Sequence, residues 1–446
     1  MYDVEREVTA ALAERLRDCA ASVLASMKAA QRTRGLVYGG RELSLLLNPF
    51  VVSVERQEQA NAAAIAVVHA IEAVAQRATE DERIQEHLRL PPFAQAALYL
   101  EATPRVQVLL GRFDGLFDAR DGALRFLEFN PYPGGMAPLD DLGDVLEETL
   151  GMSELRGHFR FQRTRLLDQV AAAFARDAGM TTPVLGVLEG APDPAFVEGD
   201  RAFSIGTFVA RGGVRTVHGT LDDAVLRDEA FFLGDTRVTH LFIDDWGLIM
   251  EGGLEHALFR ALHCGAVRLL NGCRGAVVGG AKSVLAVLSD PIFDDLFDAP
   301  TRRVLDRVVP WTRTLRDCRT THDGAHIDLL GFVEENRERL VLKPILGMGG
   351  VDVLTGWQTD AEAWSRHMQK LLDEGGIVQE RVVVEERPML ACVEDRIEQV
   401  VMGGDYCPFV WSGAHAAGAM ARGAPDGRFN VSGGASMLPV IVARRP

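Results

Sequence analysis

The sequence predicts an α/β protein with α+β character, and three observations carry the prediction. Short apolar runs bounded by Gly, Pro and Thr alternate with helical periodicities through the middle of the chain. An amphipathic, Ala-rich block precedes them, and a group of short strands around one helix follows. Strands that alternate with helices build a parallel sheet covered on both faces. With 446 residues, and a domain of about 150 residues as the guide, the chain holds two to three units.

In chain order, residues 4–28 place Val4, Val8, Leu12, Leu16, Cys19, Val23 and Met27 three to four apart, one face of a helix. Residues 57–76 and 81–99 continue the helical pattern, giving an N-terminal helical region over 1–104. From Val106 the texture changes to strand, a turn at 120–122, and a second strand at 124–129 that ends in a Pro/Gly loop. With a helix over 155–178, this forms a hairpin and linking-helix segment over 105–180. Residues 181–290 read as the parallel unit, with a strand at 183–188, a helical stretch after it, and strands at 214–217 and 239–243. Residues 291–446 read as short strands at 340–343, 351–354, 377–384 and 399–401 around a helix at 360–373.

Composition excludes several function classes. Lys and Arg total 47 against 63 Asp and Glu, a formal net charge of −16. A nucleic-acid binder needs a basic footprint and an anionic membrane surface attracts basic segments, so neither partner is expected. The longest apolar stretches fall short of the ~18 residues a membrane span requires. The charged start of the chain does not read as a secretion signal. Cys19, Cys264, Cys273, Cys318, Cys392 and Cys407 form no Cys-x-x-Cys pair and read as reduced core thiols. A cytoplasmic, metabolic-type protein is the expectation.

Chemistry concentrates in five stretches. The first runs Arg112-Phe-Asp114 to Glu128-Phe-Asn130-Pro-Tyr-Pro-Gly-Gly. Alternate residues of a strand share a face, so a hairpin gathers two carboxylates, an amide and a guanidinium. Hard oxygen donors without His or Cys suit Mg²⁺, and an adjacent Arg can stabilise charge on a transferring phosphoryl group. A salt-bridged hairpin tip is the plainer reading of the same residues. The second stretch, Lys343-Pro-Ile-Leu-Gly347-Met-Gly349-Gly350, delivers a lysine from a strand into a glycine-rich turn. Glycines allow backbone N–H groups close to phosphate, and the spacing is not that of a Walker A loop. The third places Lys282 behind Gly279-Gly280 in an apolar helical run, where it must snorkel or face an anion. The fourth is Gln379-Glu380-Arg-Val382, at a strand end. The fifth runs from Arg422 to Asn430-Val-Ser-Gly-Gly. His322 and His326 have metal-like spacing in a loop without a third ligand, Trp311 reads as a packing anchor, and 38–41 reads as a turn.

Together these stretches resemble an ATP-grasp enzyme. The Arg112/Asp114/Glu128/Asn130 hairpin is similar to the metal-binding segment of D-alanine–D-alanine ligases. That segment ordinarily comes last, whereas here it precedes Lys282, Lys343 and Gln379–Val382. The rotated order resembles circularly permuted members such as eukaryotic glutathione synthetase and the synthetase domain of glutathionylspermidine synthetase. The resemblance implies a circularly permuted ATP-grasp fold. Residues 181–290 would then be a Rossmann-like pre-ATP-grasp unit, and 291–446 the nucleotide-binding lobes.

It also implies roles. Lys282 and Lys343 would contact ATP phosphates, with Gly347, Gly349 and Gly350 closing over them. Gln379, Glu380 and Val382 would form the hinge for adenine and ribose. Asp114, Glu128 and Asn130 would bind Mg²⁺, and Arg112 and Arg422 would stabilise the acyl-phosphate or tetrahedral intermediate. The implied reaction is carboxylate–amine ligation on small amino-acid, peptide or polyamine substrates, with release of ADP and phosphate. Carboxylate–thiol ligation and a non-catalytic nucleotide-binding scaffold are the alternatives, and family analogy alone allows a homodimer. One departure stands out: Gly347 occupies the place of a glutamate metal ligand in the glutathione-synthetase loop.

Overall fold

Two distant parts of the chain build the largest sheet. Strand Leu110–Phe117 pairs antiparallel with Leu124–Asn130 on one side and with Cys407–Trp411 on the other. The sheet continues through His415–Ala424 to Arg396–Gly404 and Glu386–Val393, while Ser436–Arg444 branches from His415–Ala424. The computed structural model describes residues 3–103, 105–179, 182–188, 204–243, 255–347, 349–425 and 427–446.

The alternation expected in the middle of the chain is present. Arg268–Leu269, His240–Ile243, Val184–Leu188 and Arg215–Gly219 form a four-stranded sheet in that order, with every pairing parallel. A third sheet orders Thr312–Thr314, Gly376–Glu380, Leu340–Pro344 and Leu354–Thr355, all antiparallel. Helix Ala361–Glu374 packs Trp364, Met368 and Leu371 onto it. No helix among the described residues is long and apolar enough to cross a membrane.

Several elements differ from the sequence expectation for local physical reasons. The helical pattern over 4–28 breaks into Asp3–Leu16 and Ala20–Thr33. The pattern over 81–99 breaks into Glu82–Leu88 and Pro92–Ala97, because Arg89 turns left-handed (φ 46°) and prolines follow it. The expected helix over 155–178 is a 3₁₀ turn, a short strand Arg160–Gln162 and the helix Leu167–Ala178. The strand expected over 377–384 ends at Glu380, and that over 351–354 shifts to Leu354–Thr355. The N-terminal region is not wholly helical, because Phe50–Ser53 pairs parallel with Ser436–Arg444. The helical stretch expected after 188 lies partly outside the described residues. Within them it appears as Ile205–Arg211.

Helix Val54–Arg77 is the structural spine. The Ser53 side chain caps it by accepting the Arg56 N–H, and its Ala60, Ala64, Val67, Ile71 and Val74 are buried. Helix Cys273–Gly280 lies against it. Gly279 permits that approach, because a Cβ there would stand 2.9 Å from the Phe129 ring and 3.3 Å from Ile71.

A buried charge network ties the chain's start to its last sheet. Arg56 bonds Glu385 at 3.0 Å and Glu5 at 3.3 Å, and Arg387 reaches Glu385 at 3.1 Å. Both guanidinium groups also stack on rings, Arg56 over Phe117 and Arg387 over Phe50, each at 4.0 Å. Burial pushes the Glu385 carboxyl up, but the two arginines outweigh it and hold it at about 2. The folded value lies below the unfolded 4.5, so this stabilisation is complete above about pH 4.5 and disappears as pH falls towards 2. Glu385→Gln should destabilise the fold by about 3 kcal/mol at pH 7 and flatten the loss of stability between pH 4.5 and 2. Urea unfolding across that range measures both.

Candidate active site

The hairpin registers the first predicted group by strand geometry alone. Arg112 stands opposite Asn130 and Asp114 opposite Glu128, with a bulge between Asp114 and Gly115. Arg112 Nε donates to Asp114 Oδ1 at 2.7 Å, and Asn130 Nδ2 donates to the same oxygen at 3.1 Å. Arg422, from strand His415–Ala424, donates its Nη2 to Asp114 Oδ2 at 2.6 Å. Burial alone would raise the Asp114 pKa; Arg112 and Arg422 override it and hold the carboxyl well below the usual range.

Behind this group lies a residue that no sequence motif marked. Asp405 is 2% exposed, accepts the Arg422 backbone N–H, and accepts Arg422 Nε at 2.7 Å. Arg422 is thus bracketed by two carboxylates, and its Nη2 lies 2.6 Å from each. Asp114, Asp405 and the Cys407 thiol are close enough to suggest a metal nest, but the interposed guanidinium makes the trio a salt-bridged core. The available signal was a lone Asp in the otherwise uncharged run 400–411.

Lys282 does not sit inside a helix as expected. Helix Cys273–Gly280 ends before it and Val284–Ser289 begins after it. At that break its backbone N–H donates to Ile345 O at 2.9 Å and its Nζ to Gly347 O at 2.7 Å. Nζ also lies 3.4 Å from Glu128 Oε2. The lysine therefore ties strand Leu124–Asn130 to the glycine-rich turn. Gly347, Gly349 and Gly350 all take positive φ (137°, 67° and 75°), where a side chain would be strained. Asn430 Nδ2 holds the turn from the other side by donating to Gly349 O at 2.8 Å.

Lys343 comes from strand Leu340–Pro344. Its Nζ donates to Gln379 Oε1 at 2.7 Å and to Leu127 O at 3.2 Å. Burial pulls its pKa down to about 8, opposed by the Glu128 and Asp114 charges and assisted by Lys282. Gln379 is itself buried and passes its Nε2 to Thr312 Oγ1 at 3.0 Å. Its amide is thus committed to positioning Lys343. Glu380 Oε1 bonds Arg339 at 3.2 Å, its backbone N–H donates to Trp311 O, and Val382 follows in the loop after the strand. His322 packs against Trp311 and Phe332 in a hairpin, and His326 is exposed.

Glu128, Asn130, Lys282 and Gly347 line one cleft of about 200 Å³. Glu128 and Asn130 set a carboxylate and an amide oxygen on the same face of one strand, a hard donor pair that fits Mg²⁺. Asp114 adjoins them but already accepts from two guanidinium groups.

No family model and no curated protein matches the chain. Solved structures do. A glutathione synthetase like-effector from Globodera pallida, in its apo form, superposes with a TM-score of 0.61 at 12% identity, over 94% of this chain and 96% of that one. A putative gamma-glutamylcysteine synthetase from Methylobacillus flagellatus gives 0.42 at 12% identity, over 88% and 89%. A RimK domain ATP-grasp protein from Sphaerobacter thermophilus gives 0.24 at 14%, over 59% and 90%. The first of these shows the fold: this chain shares the overall fold of the glutathione synthetase like-effector along nearly its whole length.

Removing Asp405 should leave Arg422 with one partner fewer in a buried site. Asp405→Ala should therefore lower the unfolding free energy by about 3–5 kcal/mol. A double-mutant cycle with Arg422→Ala should show coupling above about 1 kcal/mol, read by urea denaturation.

Proposed function

We propose that the chain is an ATP-dependent ligase that joins a carboxylate to an amine through an acyl phosphate, releasing ADP and phosphate. One observation carries this reading: residues from three distant segments, Glu128 with Asn130, Lys282 and Gly347, face one another across a single cleft, with Lys343 bonded to the strand behind it. We read the placement of the 110–130 hairpin ahead of both lysines as a circular permutation. The units are then 1–104, 105–180, 181–290 and 291–446.

Phosphoryl transfer asks a protein mainly for positioning and charge. Lys282 and Lys343 supply positive charge for the ATP phosphates, and the turn at Gly347, Gly349 and Gly350 supplies backbone N–H donors at close approach. Glu128 and Asn130, with Asp114 beside them, would hold Mg²⁺, which would neutralise phosphate charge there. The substrate carboxylate attacks the γ-phosphorus, ADP departs, and the amine then displaces phosphate from the acyl carbon. Among the described residues Arg112 is bound through Nε alone, so its Nη groups are the donors left for the developing oxyanion. Arg422 holds Asp114 in place and adds positive charge behind it. The strand end at Gln379, Glu380 and Val382 takes the base and ribose, with Gln379 keeping its amide on Lys343 and Glu380 its backbone N–H on Trp311 O.

The test is product analysis with Mg²⁺-ATP and a pool of simple carboxylic acids, amino acids, small peptides and polyamines. Substrate-dependent ADP and phosphate are expected, and Glu128→Ala should cut the rate by at least a hundredfold. AMP with pyrophosphate would replace the acyl phosphate with adenylation. Unchanged ATP turnover in Glu128→Ala would remove Glu128 from the metal site.

A further inference from the structure

The walls of the cleft have a character that the ligase chemistry does not require. Beside Glu128, Asn130 and Lys282 the lining includes Phe93, Pro131, Tyr132, Ala276, Val277 and Leu346. Among the described lining residues Glu128 and Lys282 carry the only charges, and they lie 3.4 Å apart at one side. Phe93 is 44% exposed at the rim, whereas Ala276 and Val277 are buried on helix Cys273–Gly280.

An α-amino acid or a peptide brings an ammonium and a second carboxylate besides the group that reacts. Each would meet only Glu128 or Lys282, which already face one another at 3.4 Å, and a charge without a partner of its own against apolar walls is strongly disfavoured. A carboxylate joined to an uncharged apolar body fits instead. Its head meets the Lys282 ammonium and the metal-ligand pair, and its body covers apolar surface at roughly 25 cal/mol per Å² buried.

We propose that the acid substrate is an apolar monocarboxylate, aliphatic or arylaliphatic, and not a zwitterionic amino acid or peptide. The inference rests on the ligase reading and deepens it. In the reaction a carboxylate oxygen forms a bond to the γ-phosphorus while the bond from that phosphorus to the ADP oxygen breaks. The nucleophilic nitrogen then bonds the acyl carbon and loses a proton, and inorganic phosphate leaves with its oxygen.

The test uses the full chain with Mg²⁺-ATP and hydroxylamine as the nitrogen nucleophile, and follows ADP and hydroxamate together. Hexanoate and 3-phenylpropanoate are compared with acetate, glycine and glutamate. The expected result is a kcat/KM at least tenfold higher for hexanoate and 3-phenylpropanoate than for glycine or glutamate. Phe93→Ser, at an exposed rim position that folding tolerates, should raise the KM for hexanoate at least fivefold more than that for acetate. Equal or better turnover of glycine or glutamate would overturn the inference and leave the ligase reading standing. A hexanoate KM unmoved by Phe93→Ser would also count against it. Absence of ADP with every acid, from protein that still binds a fluorescent ATP analogue, would remove the ligase reading and this inference with it.

Discussion

Everything at the site depends on Arg422 lying between Asp114 and Asp405. Its bond to Asp114 spans 308 residues of chain and joins the early hairpin to the C-terminal sheet at the point where their strands pair. Buried charges cost several kcal/mol to desolvate, and only close, well-directed partners offset that cost. With partners at 2.6 Å on both sides, the arrangement rewards one register and penalises the rest. A slip of one residue between Leu110–Phe117 and Cys407–Trp411 would turn Arg112 and Asp114 to the opposite face. It would also break the ion pair.

From this fixed hairpin the electrostatics of the cleft follow. Glu128 sits where both lysines feel it, Lys282 at 3.4 Å and Lys343 through the negative charge that opposes its desolvation. Lys282 in the lining and Lys343 behind it set two cations beside Glu128, in a chain whose formal charge is −16. Such a contrast draws an anionic ligand to one place on the surface. The Glu128 and Asp114 charges oppose the desolvation of Lys343, Gln379 and the Leu127 carbonyl hold its ammonium by accepting from it, and Gln379 is in turn held by Thr312. The three strands beneath the glycine-rich turn therefore act as one positioning unit.

Much of this was legible in the sequence, and the reasons for the failures are specific. The Arg112-x-Asp114 and Glu128-x-Asn130 spacing gave the hairpin face, because strand alternation depends on nothing beyond the strand itself. The lysine-to-glycine order at 343–350 located the turn for the same local reason. Lys282 was misread as lying mid-helix, since the apolar run 277–288 does not reveal a helix break that a backbone bond to Ile345 helps to fix. Asp405 was invisible, because its role exists only once Arg422 and Asp114 stand beside it. Gln379 was recognised as important, yet its amide faces Lys343, a partner that strand pairing supplies.

The sequence by itself determined the candidate site residues, the alternation that makes the parallel sheet, and the hydropathy that leaves no described helix long and apolar enough to cross a membrane. Each is a property of short windows or of bulk composition, where propensity and periodicity act without distant partners. Tertiary structure alone decided that Leu110–Phe117 would pair with Cys407–Trp411, that Lys282 would clamp the glycine-rich turn, and that apolar walls would stand beside the charged group. Those outcomes arise from burial and ion pairing between segments far apart in the chain, and no local window records which of the many compatible partners a buried strand or charge will meet.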